Sequence, residues 1–121
     1  MILSVCSHCK SQKVRECNRE RVSNRLRNAL PSDIGFQEVR CLAACDRPIA
    51  VGISANAKTS YLFGDIKNEE DVCGLLEFIE QYRKSSNGWS NSSERPKSLR
   101  TKIVARVPLS FLTKFKTTGL E

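Results

Sequence analysis

The sequence predicts an α/β fold, a single sheet of short strands layered with helices, and three observations carry that expectation. Short apolar runs bounded by turn residues recur along the first two thirds of the chain. Two longer stretches repeat apolar residues at helical spacing. The composition, 40% hydrophobic and 27% charged, is that of a globular chain, and 121 residues make one domain able to bury its own core.

Ile2, Leu3 and Val5 form the first apolar run, strand 1, which ends at Cys6. Residues 10–20 are polar and hold Cys17. Val22, Leu26, Ala29 and Leu30 then recur at helical spacing until Pro31 stops the pattern. Phe36 to Cys41 reads as strand 2, and Cys41 to Cys45 as a compact loop. Pro48 opens strand 3, in which Ile49, Val51 and Ile53 alternate with Ala50, Gly52 and Ser54. The small alternate residues imply that something packs closely on that face. After a turn at 55–58, Tyr61 to Phe63 makes strand 4, the hairpin partner of strand 3, and Gly64-Asp65 breaks it. Asn68 suits the N-cap of a second helix with Glu69, Glu70 and Asp71 in its first turn. Val72, Leu75, Leu76, Ile79 and Tyr82 form its stripe, and Arg83 and Lys84 suit its C-terminus.

That order, β-α-β-β-β-α, is the succession of a thioredoxin-like α/β layer fold, assigned to residues 1–85. Residues 86–121 read as a linker followed by an extended, basic C-terminal arm. SSNGWSNSSERP has linker composition. In RPKSLRTKIVARVP, Ile103, Ala105 and Val107 alternate as an arm lying on the domain or on a second subunit would. Phe111, Leu112 and Phe115 follow without a pattern.

A domain of this size does not need its six cysteines as staples, which turns attention from disulfides to chemistry. The start, MILSVCSHCK, has no basic leader, and no stretch approaches the roughly 20 apolar residues of a membrane span. A soluble, cytoplasmic protein with reduced thiols is the expectation, and there clustered cysteines bind metal or do redox work.

Cys6 and Cys9 form a CxxC, and Cys41 and Cys45 a CxxxC, with residues 10–40 between the pairs. Both pairs fall at strand ends, where a sheet can hold two loops side by side. Soft thiolates in such a set select zinc or an iron–sulfur cluster. Each iron of a [2Fe-2S] cluster takes two thiolates, so two pairs on two loops match it. Cys17 is the alternative to Cys9, as a Cys6–Cys17 first pair. Cys73 falls off the apolar stripe of the second helix and reads as a bystander. His8, the only histidine, is either a donor to sulfur or a solvated loop residue. Lys10 after the CxxC rules out the CxxCH of haem attachment.

Four segments, VCSHCK at 5–10, CLAACDRPIAVGI at 41–53, YLFGD at 61–65 and ERPKSLRTKIVARVP at 94–108, resemble a family of small predicted metal-binding proteins of unassigned function. That family is grouped with the thioredoxin-like [2Fe-2S] ferredoxins, and the resemblance covers nearly the whole chain. It implies a thioredoxin-like fold with a cluster near the surface, ligated by Cys6, Cys9, Cys41 and Cys45. It implies no particular reaction, and Cys17, in CNRER, is not part of the matching pattern.

No Gly-rich phosphate loop, HExxH or Ser/His/Asp set is present. The leading expectation is therefore an electron carrier, or a cluster-bearing accessory protein, without a substrate pocket of its own. A zinc protein, structural or metal-handling, would use the same thiolates. A thiol–disulfide oxidoreductase at Cys6 and Cys9, helped by Lys10, ranks last because it leaves Cys41 and Cys45 without a role. Residues 94–121 hold seven basic residues against two acidic ones, a net +5 of the chain's +7. Such a tail suits an acidic redox or assembly partner. The absence of interleaved aromatics disfavours nucleic acid. The rival reading is architectural: Arg95-Pro96, Leu99, Ile103 and Val107 would pin the arm to the domain or to a twin subunit in a homodimer.

Overall fold

The computed structural model describes residues 1–6, 16–43 and 46–108, including all of their side chains except those of Glu16 and Cys17. The elements in chain order are β1 (Ile2–Cys6), α1 (Glu16–Ala29), β2 (Gly35–Val39), β3 (Val51–Ser54), β4 (Ser60–Phe63), α2 (Glu69–Lys84), a 3-10 turn (Lys97–Leu99) and β5 (Ile103–Val107). They build one mixed sheet in the order β2-β1-β3-β4-β5, in which β1 and β2 are parallel and the other neighbours antiparallel.

Register fixes which side of the sheet is the core. Phe36 lies opposite Leu3, Leu3 opposite Ile53, and Ile53 opposite Tyr61. Val5, Val51 and Phe63 line up two residues further along. Side chains across a ladder share a face, so these residues form one apolar surface, and both helices cover it. From α1, Arg27 stacks on Phe36 at 4.8 Å and Ser23 Oγ donates to Glu38 at 2.7 Å. From α2, the ring of Phe78 meets Tyr61 and Phe63 edge-on at 5.0 and 5.2 Å. Leu3, Val5, Leu26, Val51, Ile53, Phe63, Leu75 and Phe78 are buried between the layers.

The sequence places α2 correctly. Asn68 caps it reciprocally with Asp71: the Asn68 side chain accepts from Asp71 N at 2.9 Å, and the Asp71 carboxylate takes the Asn68 amide. Boundaries differ elsewhere. Strand 2 ends at Val39, so Cys41 lies two residues beyond it. Strand 3 begins at Val51 because Ile49 O accepts from Ile66 N and so faces the β4–α2 connection. Helix α1 begins at Glu16, which puts Cys17 in its first turn rather than in a loop before it. Polar first-turn residues such as Glu16 suit the helix dipole but leave no apolar stripe to read.

The described part of residues 86–121 is built into the domain. Tyr61 Oη donates to Gly88 O at 2.7 Å and accepts from Ser90 N at 2.9 Å, and Thr59 N donates to Asn87 O at 2.8 Å. Arg95, Pro96 and Leu99 are buried. Residues 103–107 pair with β4 as an edge strand. Residues 109–121, with Phe111, Leu112 and Phe115, lie outside the described residues. Among the described residues no helix is long and apolar enough to cross a membrane.

Tyr82, buried under this segment, donates its hydroxyl to Thr59 O at 2.7 Å. Burial, aided by nearby Tyr61, pushes its phenol up to about 12 from 10.0. A phenol that keeps its proton longer in the folded chain stabilises the fold below its unfolded value and loses that contribution as pH rises through its folded value. Stability should therefore fall by on the order of 2 kcal/mol between roughly pH 10 and pH 12 through this group. Denaturant titrations of the parent and Tyr82→Phe across that window check it, with a shallower alkaline decline expected in the variant.

Candidate metal centre

The parallel pairing of β1 and β2 puts Cys6 and the chain leading to Cys41 at the same end of the sheet. Cys6, the last residue of β1, lies in register with Val39, the last residue of β2. Neighbouring strands are about 4.8 Å apart, and Cys41 follows Val39 by two residues. Both pairs thus begin at the carboxyl end of adjacent parallel strands, where open α/β sheets place their ligands. Helix α1 returns the chain to the start of β2, so its first turn, with Cys17, belongs to that same end. Cys9, Cys45 and His8 lie outside the described residues, as does the Cys17 side chain. The described geometry therefore covers Cys6 and Cys41, one member of each pair, and does not choose between Cys9 and Cys17.

Both of those sulfurs accept backbone hydrogen bonds. Cys6 is buried, and Ala50 N donates to its Sγ at 3.2 Å. Cys41 is exposed, and Ala43 N donates to its Sγ at 3.2 Å. The second bond depends on a left-handed residue: Ala43 has φ of 60°, which curls the loop back over Cys41. A non-glycine residue there costs about 1 kcal/mol or more, so the surrounding loop must hold it. Leu42 helps. Its Cδ1 lies 4.0 Å from where a Cβ on Gly52 would stand, so the cysteine loop packs on the small-residue face of the sheet at Ser4 and Gly52. The alternation of small residues in β3 is explained by that close approach.

Arg47 anchors the other end of the loop. Its guanidinium donates to Asp65 Oδ2 at 2.8 Å, to Ile103 O at 3.2 Å and to Thr101 O at 2.6 Å. Its carbonyl accepts from Asp65 N at 2.8 Å. Gly64 permits the approach, since a Cβ there would stand 2.8 Å from Arg47 Cβ and 2.9 Å from Arg47 O. Lys102 closes the cluster: Nζ donates to Asp65 O at 2.9 Å and lies 3.5 Å from Asp71 Oδ2. Arg47, Asp65 and Lys102 were not singled out from the sequence as parts of the site. The signal available was that each sits in one of the segments that carry the family resemblance.

Cys73 is exposed on α2, its thiol 3.7 Å from Glu69 Oε1. That carboxylate is held below its ordinary range chiefly by the hydrogen bond from Arg25. Among the described residues no three cysteine, histidine or acidic side chains converge as a metal site.

A family model described as "Protein of unknown function (DUF1636)" matches residues 3–109. No curated protein and no solved structure matches the chain.

The Arg47 cluster makes a stability prediction. Arg47→Met leaves Asp65 and two carbonyls without their donor, and should cost about 3 kcal/mol. Lys67→Met removes only an exposed contact of 3.9 Å to Asp65 and should stay within about 0.5 kcal/mol of the parent. Urea midpoints at unchanged m-value measure both. Equal small losses would show that the guanidinium is not structural.

Proposed function

The chain belongs to the family described as protein of unknown function DUF1636, and from that premise we propose that it is a metal-binding protein. In this reading it holds a [2Fe-2S] cluster on Cys6, Cys9, Cys41 and Cys45, with Cys17 the alternative to Cys9. It acts as an electron carrier or a cluster-bearing accessory protein. The observation that carries the proposal is that the described cysteine of each pair, Cys6 and Cys41, has a backbone N–H aimed at sulfur at 3.2 Å. Such bonds favour the thiolate form, and around iron–sulfur clusters they help set the potential. The donor set supports the reading: Cys6 and Cys41, one from each pair, lie at or just beyond the ends of adjacent parallel strands, and soft sulfur selects iron–sulfur clusters or zinc. The cluster would supply one-electron chemistry. The chain's own residues hold the sulfurs, shield Cys6 from water and fix the loop that bears Cys41.

A thioredoxin-like ancestry is supported by the succession β1-α1-β2-β3-β4-α2 with sheet order β2-β1-β3-β4 and both helices on one face. A thiol–disulfide oxidoreductase is disfavoured because Cys6 is only 5% exposed, whereas an attacking thiolate must be reached by its substrate.

Anaerobic isolation should give about two irons and two labile sulfides per chain. Cys41→Ser should abolish them, while Cys73→Ser leaves the visible spectrum intact. Of Cys9→Ser and Cys17→Ser, the first should be the damaging one. Stoichiometric zinc without sulfide would establish the zinc alternative instead, and bleaching by Cys17→Ser alone would exchange the second ligand.

The acidic partner belongs to the same proposal. Lys97 and Arg100 are exposed on the 3-10 turn and its edge, whereas Lys102 is tied to Asp65 and Asp71. Steering by exposed charge is screened within about 8 Å at physiological salt. Oxidation of the reduced cluster by ferricyanide should therefore slow as salt rises. The pair Lys97→Gln and Arg100→Gln should flatten that dependence without lowering stability. A salt dependence unchanged by the pair would remove these two residues from docking.

A further inference from the structure

The five strands hold only two charged side chains, Glu38 and Arg106, and both lie on the side that the helices cover. Glu38 accepts from Ser23 of α1 at 2.7 Å. Arg106 stands in register with Tyr61 and stacks on Trp89. The opposite face has no helix over it, and strand alternation places Ile2, Gly52, Ser54, Leu62, Ala105 and Val107 there. Ile2 is 44% and Val107 54% exposed, Ser54 and Ala105 are exposed, and Gly52 and Leu62 are half-buried. Leu42 of the cysteine loop stands at the edge of this surface, beside Gly52. An open sheet face is ordinarily the polar one, with charge turned to solvent. Here the strands carry their charge on the covered side and none on the open side.

Charge decides what can cover such a face. The chain carries a net +7, so two copies repel wherever their basic surfaces meet. Contact through uncharged strands lets them approach without setting like charges against each other. Shape agrees. Gly52, Ser54 and Ala105 leave a shallow floor, and Ile2 in β1 and Val107 in β5 stand on either side of it. Across a two-fold axis, the larger residues of each copy meet the small ones of the other. Five strands about 4.8 Å apart and about 17 Å long make a face of roughly 400 Å². A standard interface takes about 800 Å² from each partner, so this area suits a weak, reversible contact.

We propose that the open face of the sheet is a self-association surface, on which a second copy of the chain packs sheet against sheet as a weak dimer. The contact is made by strand side chains and uses neither Lys97 nor Arg100. It needs no metal at the cysteines, so it stands or falls apart from the cluster.

Sedimentation equilibrium of the full chain tests it, under reducing conditions so that the exposed Cys41 and Cys73 cannot cross-link copies. The mass should rise from one chain to two, with a dissociation constant on the order of 10–100 μM. Added salt should tighten the dimer or leave it unchanged, because it screens only the net repulsion. Ser54→Lys puts a charge on the floor and should weaken association about tenfold or more. Asn24→Lys adds the same charge on the exposed side of α1 and should leave it within about twofold of the parent. Urea midpoints, taken where the parent is monomeric, should match in all three chains. If Ser54→Lys lowers its midpoint, Ala105→Lys on the edge strand takes its place. A chain that stays monomeric up to about 1 mM overturns the proposal, and leaves the face to solvent or to residues 109–121. So does a dimer that loosens as salt rises, or one that Asn24→Lys weakens as much as the floor variant does.

Discussion

The Arg47 guanidinium is the contact on which the arrangement of this domain turns. It joins three parts of the chain that sequence separates widely: the loop after the second cysteine pair, the β4–α2 connection at Asp65, and the strand entry at 101–103. A planar fork of donors can satisfy a carboxylate and two carbonyls at once, and a lysine cannot reproduce that geometry. The constraint extends to the backbone. Asp65 adopts φ of 57° and donates its amide to Arg47 O, and Gly64 N donates to Lys102 O at 2.8 Å. Three residues beyond Arg47, the amide of Ala50 meets Cys6 Sγ, and Ala50 O accepts from Cys6 N at 3.1 Å. The segment between the second cysteine pair and β3 is therefore a bracket. One end is clamped by the guanidinium, and the other end fixes the environment of the first sulfur.

What the sequence discloses about this architecture follows from how local each signal is. Helix α2 is legible because its cap, its acidic first turn and its apolar stripe all lie within a few turns. The β3–β4 hairpin is legible for the same reason, apart from the short ladder of β3. Strand β5 is read only as an extended arm, because an edge strand needs no apolar face: Val107 is 54% exposed and Ile103 is half-buried. The Ser/Asn-rich stretch resembles a free linker because its main anchors, Tyr61 and Thr59, lie nearly thirty residues upstream. The candidate site is half legible. Pair spacing marks Cys6 with Cys9 and Cys41 with Cys45 as candidate ligands, and parallel pairing of β1 with β2 puts Cys6 and the chain leading to Cys41 at one end of the sheet. The amides that meet the sulfurs come from Ala43 and Ala50, residues whose side chains carry no chemistry, so no motif marks them.

Strand direction separates the molecule into two ends. β4 runs antiparallel to β3, which runs antiparallel to β1, so β4 finishes at the same end as Cys6. Helix α2 starts from that end and, at 1.5 Å per residue, carries the chain about 24 Å away. The Ser/Asn-rich segment lies at the far end. The chain then returns along α2. Gly74 is the close-approach point: a Cβ there would collide with Ser98 Oγ and stand 3.3 Å from Leu99 Cγ. Glycine inside a helix costs about 1 kcal/mol, and here it admits the 3-10 turn against the helix. β5 begins beside Phe63 and the Arg47 cluster and ends beside Ser60, with Arg106 over Trp89.

This path accounts for the composition of the C-terminal segment better than a solvated arm does. Arg95 and Arg106 belong to the end where Ser90 lies and Lys102 to the cysteine end, and Leu99 fills the space under α2 between them. The aromatic cluster of Tyr61, Phe63, Phe78 and Tyr82 packs beneath α2, and Leu99 completes the core beside it. What the added strand supplies is reach. One five-residue strand meets Arg47 at its first residue and the Trp89 indole near its last. The basic residues of the segment are thus divided by role. Among the described basic residues, Arg95, Lys102 and Arg106 hold carbonyls and carboxylates in place, Arg100 donates to Ser93 O at 3.1 Å, and Lys97 is exposed on the turn between the two ends.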